Sequence, residues 1–336
     1  MSAALVAATF ALAGCTGAAP HAVRSSSPAH PAALTTAELP ALWAAYDADN
    51  NAAIAASRYP KSQTKPWSKV DTEMVLDLDV FNTRAQRYLA AQDRSPGKAF
   101  YHHGETVYAG GDAGYPRAAL VTYVVGVDPA VFDAALAKEE RGVALLTKTA
   151  ADAPWRMAAV AGVLRRDLPA ALPAGPRSDP SQRDLESAIA ITQAIDAHLA
   201  GGAVKGFRNR LDANGGLAQW LSDKAATRKD KDIGVLSVDV HGYGGKGYAT
   251  GAAGNVRAVR ATGGVLVMSS FAVSVSMNVK PGMVAYNDGT YGKMTGQTKN
   301  KDQRYLSTEN AAVTLAWLPD GGKPQLLSGE ITYVAP

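Results

Sequence analysis

Beginning at Thr35, apolar side chains recur every three or four positions. Thr35-Thr36-Ala37-Glu38 offers a hydroxyl cap, and Leu39, Leu42, Trp43, Tyr46, Ala53 and Ile54 follow, which predicts one amphipathic helix running to about Ser57. The run 74–81 (Met-Val-Leu-Asp-Leu-Asp-Val-Phe) fits either a strand or the start of a further helix, and its period does not decide between them. Strand patterns rich in β-branched residues follow at 118–127, 142–149 and 155–163, the last two separated by a turn cluster of hairpin length. Between the first two, Asp128-Pro129-Ala130-Val131-Phe132-Asp133 places proline just inside a short helix.

After a proline-rich, non-periodic stretch at 168–180 the same order returns. Residues 184–199 carry Ile189, Ile191, Ile195 and Leu199 with helical spacing, and 204–221 reads as a second helix interrupted at Asn214-Gly215-Gly216. Strands then dominate: 233–240, 256–261, and a long alternating run from Val265 to Val279 that puts Val265, Val267, Ser269, Phe271, Val273 and Val275 on one face and Leu266, Met268, Ala272 and Ser274 on the other. A hairpin of 311–318 and 325–334, joined by Pro319-Asp320-Gly321-Gly322-Lys323-Pro324, closes the chain. Helices followed by antiparallel strands, twice over, predict an α+β protein of two lobes, 35–167 and 181–336, joined by the linker 168–180, each lobe packing amino-terminal helices on a curved antiparallel sheet.

The first fourteen residues change the picture of where this body sits. They carry no charge, are too short to span a bilayer, and end at Leu12-Ala13-Gly14-Cys15, where small residues precede a cysteine. This predicts a lipoprotein signal peptide over 1–14, with Cys15 lipidated and a membrane anchor on the extracellular face of the plasma membrane. The charged leader that normally precedes such a run is missing, so the natural start is expected upstream of Met1. Residues 15–34, small and proline-rich, read as a flexible tether in which His21 and His30 are solvated. Cys15 is the only cysteine, so a disulfide, a cysteine nucleophile and a cysteine-type zinc site are all excluded once it is acylated.

Composition adds less. The chain is 47% hydrophobic, as a globular body requires, and its heavy use of Ala, with Arg favoured over Lys, suits a GC-rich coding bias. The net charge of +4 is scattered among loops of mixed sign such as Arg228-Lys229-Asp230-Lys231-Asp232, which gives no nucleic-acid footprint. The lipobox and the helix-then-sheet order over residues 35–336 resemble uncharacterised actinobacterial lipoproteins with cystatin-like halves, the cone fold of the nuclear-transport-factor-two superfamily. That resemblance implies a helix wrapped by a curved sheet around a possible pocket, and it brings no reaction with it.

Candidate chemistry is sparse. Gly242-Tyr243-Gly244-Gly245-Lys246-Gly247 matches a dinucleotide fingerprint but lacks the following helix and acid, so it reads as a hairpin loop and no cofactor is expected. Asp47-Ala48-Asp49-Asn50-Asn51 has Ala52 and Arg58 where a calcium loop needs Gly and Glu, which leaves a solvated helix face and no metal. Asp77 and Asp79 would share a face only on a strand. His102-His103-Gly104-Glu105, flanked by Tyr101 and Tyr108, is the one cluster of general-base candidates outside the tether; on a strand its two histidines point oppositely, and a polar rim loop is the competing reading. The sequence therefore favours a non-enzymatic, membrane-anchored binding protein for a small molecule or an envelope partner, with a cone-fold enzyme using His102, His103 and Glu105 as the alternative.

Overall fold

The computed structural model describes residues 30–94, 97–111, 114–128, 139–177, 179–212, 215–245, 247–251, 254–287, 289–299 and 303–334. The expected signal peptide, Cys15, His21 and the short helix expected at 128–133 lie wholly or mostly outside them. The architecture is α+β, with two helix-and-sheet lobes.

In the first lobe α1 (Leu39–Ser57) begins after a capping box in which the Glu38 carboxylate accepts from both the backbone N–H and the hydroxyl of Thr35. Its stripe of Leu39, Leu42, Trp43, Tyr46 and Ala53 packs on one face of a four-stranded meander, β1 (Tyr101–Ala109), β2 (Arg117–Gly126), β3 (Glu140–Lys148) and β4 (Arg156–Leu164). The run 74–81 is helical, inside α2 (Glu73–Ala85). Just before α2, Asp71 forms a parallel bridge with Met157, which ties the start of the helix to β4.

Residues 101–109 form β1 and not a rim loop. They pair with β2 along the whole strand, apart from a bulge between Gly104 and Thr106. Gly104 is what allows α1 to approach: a Cβ there would lie 2.3 Å from Trp43 Nε1 and 2.9 Å from Leu39 Cδ1.

In the second lobe α3 (Gln182–Leu199) and α4 (Gly216–Lys229) pack on a sheet ordered β5-β10-β9-β8-β6, with β7 also on β8. Its strands are β5 (Arg208–Asn209), β6 (Ile233–Gly242), β7 (Val256–Ala261), β8 (Gly264–Val279), β9 (Tyr305–Pro319) and β10 (Gln325–Tyr333). A short helix, α5 (Thr290–Thr295), lies against α2 through Tyr291 and Phe81.

Two expectations fail in this lobe. The helix expected over 204–221 starts only at Gly216; before it, the glycine-studded stretch forms β5, which adds to the free edge of β10 in parallel, and Phe207 is buried in the core. The connection at 242–247 does not close a hairpin either, because β6 and β7 never pair with each other. They lie end to end along one edge of β8, β7 on residues 264–269 and β6 on 271–279.

The two sheets pack face to face, so the layers run helices, sheet, sheet, helices. Leu120, Val143, Leu145, Ala159 and Ala161 from one sheet meet Val259, Leu266, Met268, Val313 and Leu315 from the other in a single apolar core. The linker runs over this seam, where Pro169 O accepts from Tyr108 Oη at 2.6 Å and Ala170 O accepts from the Thr262 backbone N–H. The end of the expected tether belongs to the folded body. His30 exchanges backbone hydrogen bonds with Arg177, Ala33 N–H donates to Gly110 O, and Leu34 is buried.

Candidate functional site

A cavity of about 880 Å³ opens between α1, α2 and the helix-facing side of the first sheet, with Glu330, Ile331 and Thr332 of β10 also lining it. It exists because α1 and α2 diverge: α1 crosses the sheet over β1, whereas α2 is held at the β4 edge by the bridge at Asp71. Most of its wall is apolar and aromatic, including Ile54, Leu78, Phe100, Tyr123 and Val160.

The polar residues on its wall include Tyr46, Asn50, Asp79, Thr83 and His102. His102 sits on β1 beneath α1. Its Nδ1 is 2.5 Å from Asp47 Oδ1, and its backbone N–H donates to Asp47 Oδ2 at 2.9 Å, so one buried carboxylate holds both the ring and the strand. A carboxylate only accepts, which places the imidazole proton on Nδ1 and leaves Nε2 as the nitrogen not engaged by Asp47. The ring stacks on Trp43 at 4.5 Å between centroids and meets Tyr46 edge-on at 5.2 Å, so its orientation is fixed on several sides. Tyr123 flanks it at 4.9 Å, its own ring lying over Gly142, where a side chain would collide with it.

Beside this pair, Tyr46 Oη donates to Asp71 Oδ1 at 2.8 Å, Asp71 Oδ2 has no hydrogen-bond partner, and the Asp79 carboxyl is close enough for the two acids to influence each other. Burial pushes both aspartates above the usual carboxylate range, and for Asp71 the neighbouring Asp79 charge adds to the effect. Burial also raises Tyr46, with Asp71 contributing. Asp71 is fully shut off from solvent, whereas Asp79 lines the cavity. Asn50, only 3% exposed, also lines it, and its Nδ2 has no hydrogen-bond partner. Trp67 Nε1, in contrast, is satisfied by Thr83 Oγ1 at 2.9 Å.

The candidate residues named from sequence are therefore partly separated. His102 reaches the cavity. His103 points to the opposite face of β1, and Glu105, the extra residue of the bulge, is ion-paired with the buried Arg141, so the three do not converge. Because 74–81 is helical, Asp77 and Asp79 diverge: Asp77 accepts from Tyr243 Oη of the second lobe, while Asp79 faces the cavity. Asp47 and Asn50 are buried, not on a solvated face; of the run, Ala48 and Asp49 are exposed and Asn51 is half-buried.

Sequence reasoning did not foresee the partnership of Asp47 with His102 or the roles of Tyr46, Asn50 and Asp71. The available signal was positional, since Asp47 and Asn50 fall on the buried stripe of α1. No protein-family model matches the chain, and no curated protein matches it in sequence. Among the described residues, no group of three or more His, Cys, Asp or Glu side chains is placed to hold a metal ion, and no helix is long and apolar enough to cross a membrane.

Proposed function

We propose that the protein is a binding protein for a small, largely apolar molecule, which it takes into the cavity of the first lobe, and that Cys15 anchors it by lipidation to the outer face of the plasma membrane. The observation that carries the binding reading is the cavity itself: about 880 Å³ within a well-packed body, apolar-walled, with a few fixed polar groups including an unsatisfied Asn50 amide. A buried polar atom without a partner costs about 1–3 kcal/mol, and a ligand that supplies the partner recovers that cost.

The full chain carrying Cys15→Ser, which removes the acyl acceptor, is titrated with the fluorescent apolar probe N-phenyl-1-naphthylamine. Saturable binding to one site is expected, and Leu78→Trp, which fills the cavity, abolishes it. Equal binding by native and filled protein would overturn the reading. Metabolic labelling with an alkyne fatty acid tests the anchor, with the label expected on the native chain and absent from Cys15→Ser.

One observation favours a second reading, acid–base catalysis. His102 is oriented by Asp47 as a general base is oriented by a carboxylate, and it lines the cavity. His102→Gln separates the two: binding without turnover leaves probe affinity within a few fold, whereas an enzyme loses its rate while retaining the ligand.

A further inference from the structure

Two acids beside an apolar cavity, Asp79 half-buried on its wall and Asp71 fully buried behind, need a reason to be there. Among the described residues no ion pair reaches Asp71 or Asp79, and the basic residues that line the cavity, Arg58 and Lys98, are solvent-exposed. A buried negative charge with no cation is costly, and an internal hydrogen bond relieves it only in part. Asp71 has a structural role: Tyr46 Oη caps it, and its backbone bridges to β4. Asp79 has no such backbone tie to β4 and borders the empty space.

The other residues that line the cavity narrow the chemistry. Asn50 lines the same cavity, but its unpartnered carboxamide N–H is a donor and takes no part in holding a cation. His102 contributes a ring nitrogen not held by Asp47, which accepts a hydrogen bond when neutral. Tyr46, Phe100 and Tyr123 add aromatic rings, whose faces attract cations. A carboxylate-bearing ligand would bring a like charge to the acid pair, and a neutral one would leave the pair unmatched.

We propose that the ligand is an organic cation, with an apolar body along the Ile54, Leu78 and Val160 walls and one primary or secondary ammonium group held by the Asp79 carboxylate in the cavity that His102 also lines. The proposal rests on the reading of the cavity as a small-molecule site and adds the charge of its occupant. The ammonium donates to Asp79, and Asp71, itself fixed by Tyr46, stays out of the cavity. The apolar body replaces water against the side chains of α1, α2 and the sheet.

The test compares three probes of nearly equal shape by titration calorimetry on the full chain with Cys15→Ser: tryptamine, its neutral counterpart tryptophol, and indolepropionate. Tryptamine is expected to bind about tenfold or more tighter than tryptophol, as a charge-assisted hydrogen bond implies, with indolepropionate weakest. Asp79→Asn should bring tryptamine down to the affinity of tryptophol, while Asp79→Glu, which keeps the charge, retains a preference for the amine. Unchanged tryptophol binding by Asp79→Asn shows that the variant is folded and its cavity intact. Tryptophol or indolepropionate binding as tightly as tryptamine would sink the cation assignment and leave the cavity reading standing, as would an amine preference that survives Asp79→Asn. Failure of all three probes while the naphthylamine probe still binds also counts against the cation. Failure of every probe counts against the cavity reading itself.

Discussion

The two lobes share an order of helices and strands, yet the space between helix and sheet is used in opposite ways. Under α3 it is filled: Ala188, Ile191, Ile195 and Leu199 interlock with Phe207, Val265, Val267, Phe271 and Val273, and the polar pair there, Thr192 and Ser269, bond each other at 2.7 Å. Under α1 and α2 it is partly open, and polar groups that face it or border it are not all satisfied. The open space in the first lobe follows from the divergence of α1 and α2, and Asp47, Asn50, Asp71 and Asp79 are polar residues placed at it or beside it.

The largest effect expected from this difference is on stability. Phe271→Ala in the filled lobe deletes a fully buried ring from close-packed surroundings and should cost about 3–5 kcal/mol in urea unfolding. Leu78→Ala at the cavity wall removes contacts that already border empty space, and about 1 kcal/mol is expected, because the cost of a truncation depends on how much packing it undoes. Equal losses would mean that the cavity collapses in solution and that the two lobes are packed alike.

An intermediate effect is expected from the polar pairs. Asp47→Ala strands both the His102 imidazole N–H and the His102 backbone N–H in a buried site, at a cost of about 1–3 kcal/mol. Thr192→Val, its counterpart under α3, leaves one Ser269 hydroxyl short of a partner and should cost about 1 kcal/mol. A double-mutant cycle between Asp47→Ala and His102→Ala measures the coupling directly. Zero coupling would remove Asp47 as the group that positions His102.

How much of this was legible follows from which residues obey a period. The α1 stripe, the β2 to β4 strands and the two-faced β8 were readable because burial there coincides with apolar side chains repeating at 3.6 or 2. Segment 101–109 was obscured by His102, His103, Gly104 and Glu105, whose polarity hid a strand that needs a bulge and a glycine to fit under Trp43. Residues 204–215 misled in the other direction: sparse apolar residues were read as helix, although β5 is specified by the open edge of β10, a tertiary feature absent from local sequence. The site was half visible. Asp47 and Asn50 occupy the stripe that runs through Trp43, Tyr46 and Ala53, so polar residues at core positions of a helix were the signal, masked by their likeness to a calcium loop. The meeting of Asp71 and Asp79 depends on the β4 bridge that sets the path of α2, which no spacing along the chain encodes.

The smallest effect is also the most specific, because it concerns only the acid pair that the filled lobe lacks. Both aspartates are raised in the folded protein, so between the ordinary carboxylate range, near pH 4 in the unfolded chain, and the raised folded values, the unfolded state releases protons that the folded state keeps. Folding stability from this pair is then greatest at low pH and falls as pH rises toward neutral, the reverse of an aspartate held in a salt bridge. Asp79→Asn removes one of the two ionisations and, with it, the like charge that helps raise Asp71. The variant should match the native protein near pH 4 and become more stable than it toward pH 7, by something on the order of 1 kcal/mol, read as a difference between thermal unfolding curves that widens with pH. Thr192→Val should show no such widening, since neither member of its pair titrates. Parallel curves for Asp79→Asn across the whole range would mean that Asp79 sits in water in solution, and the contrast between a closed lobe and a charged, open one would lose its electrostatic half.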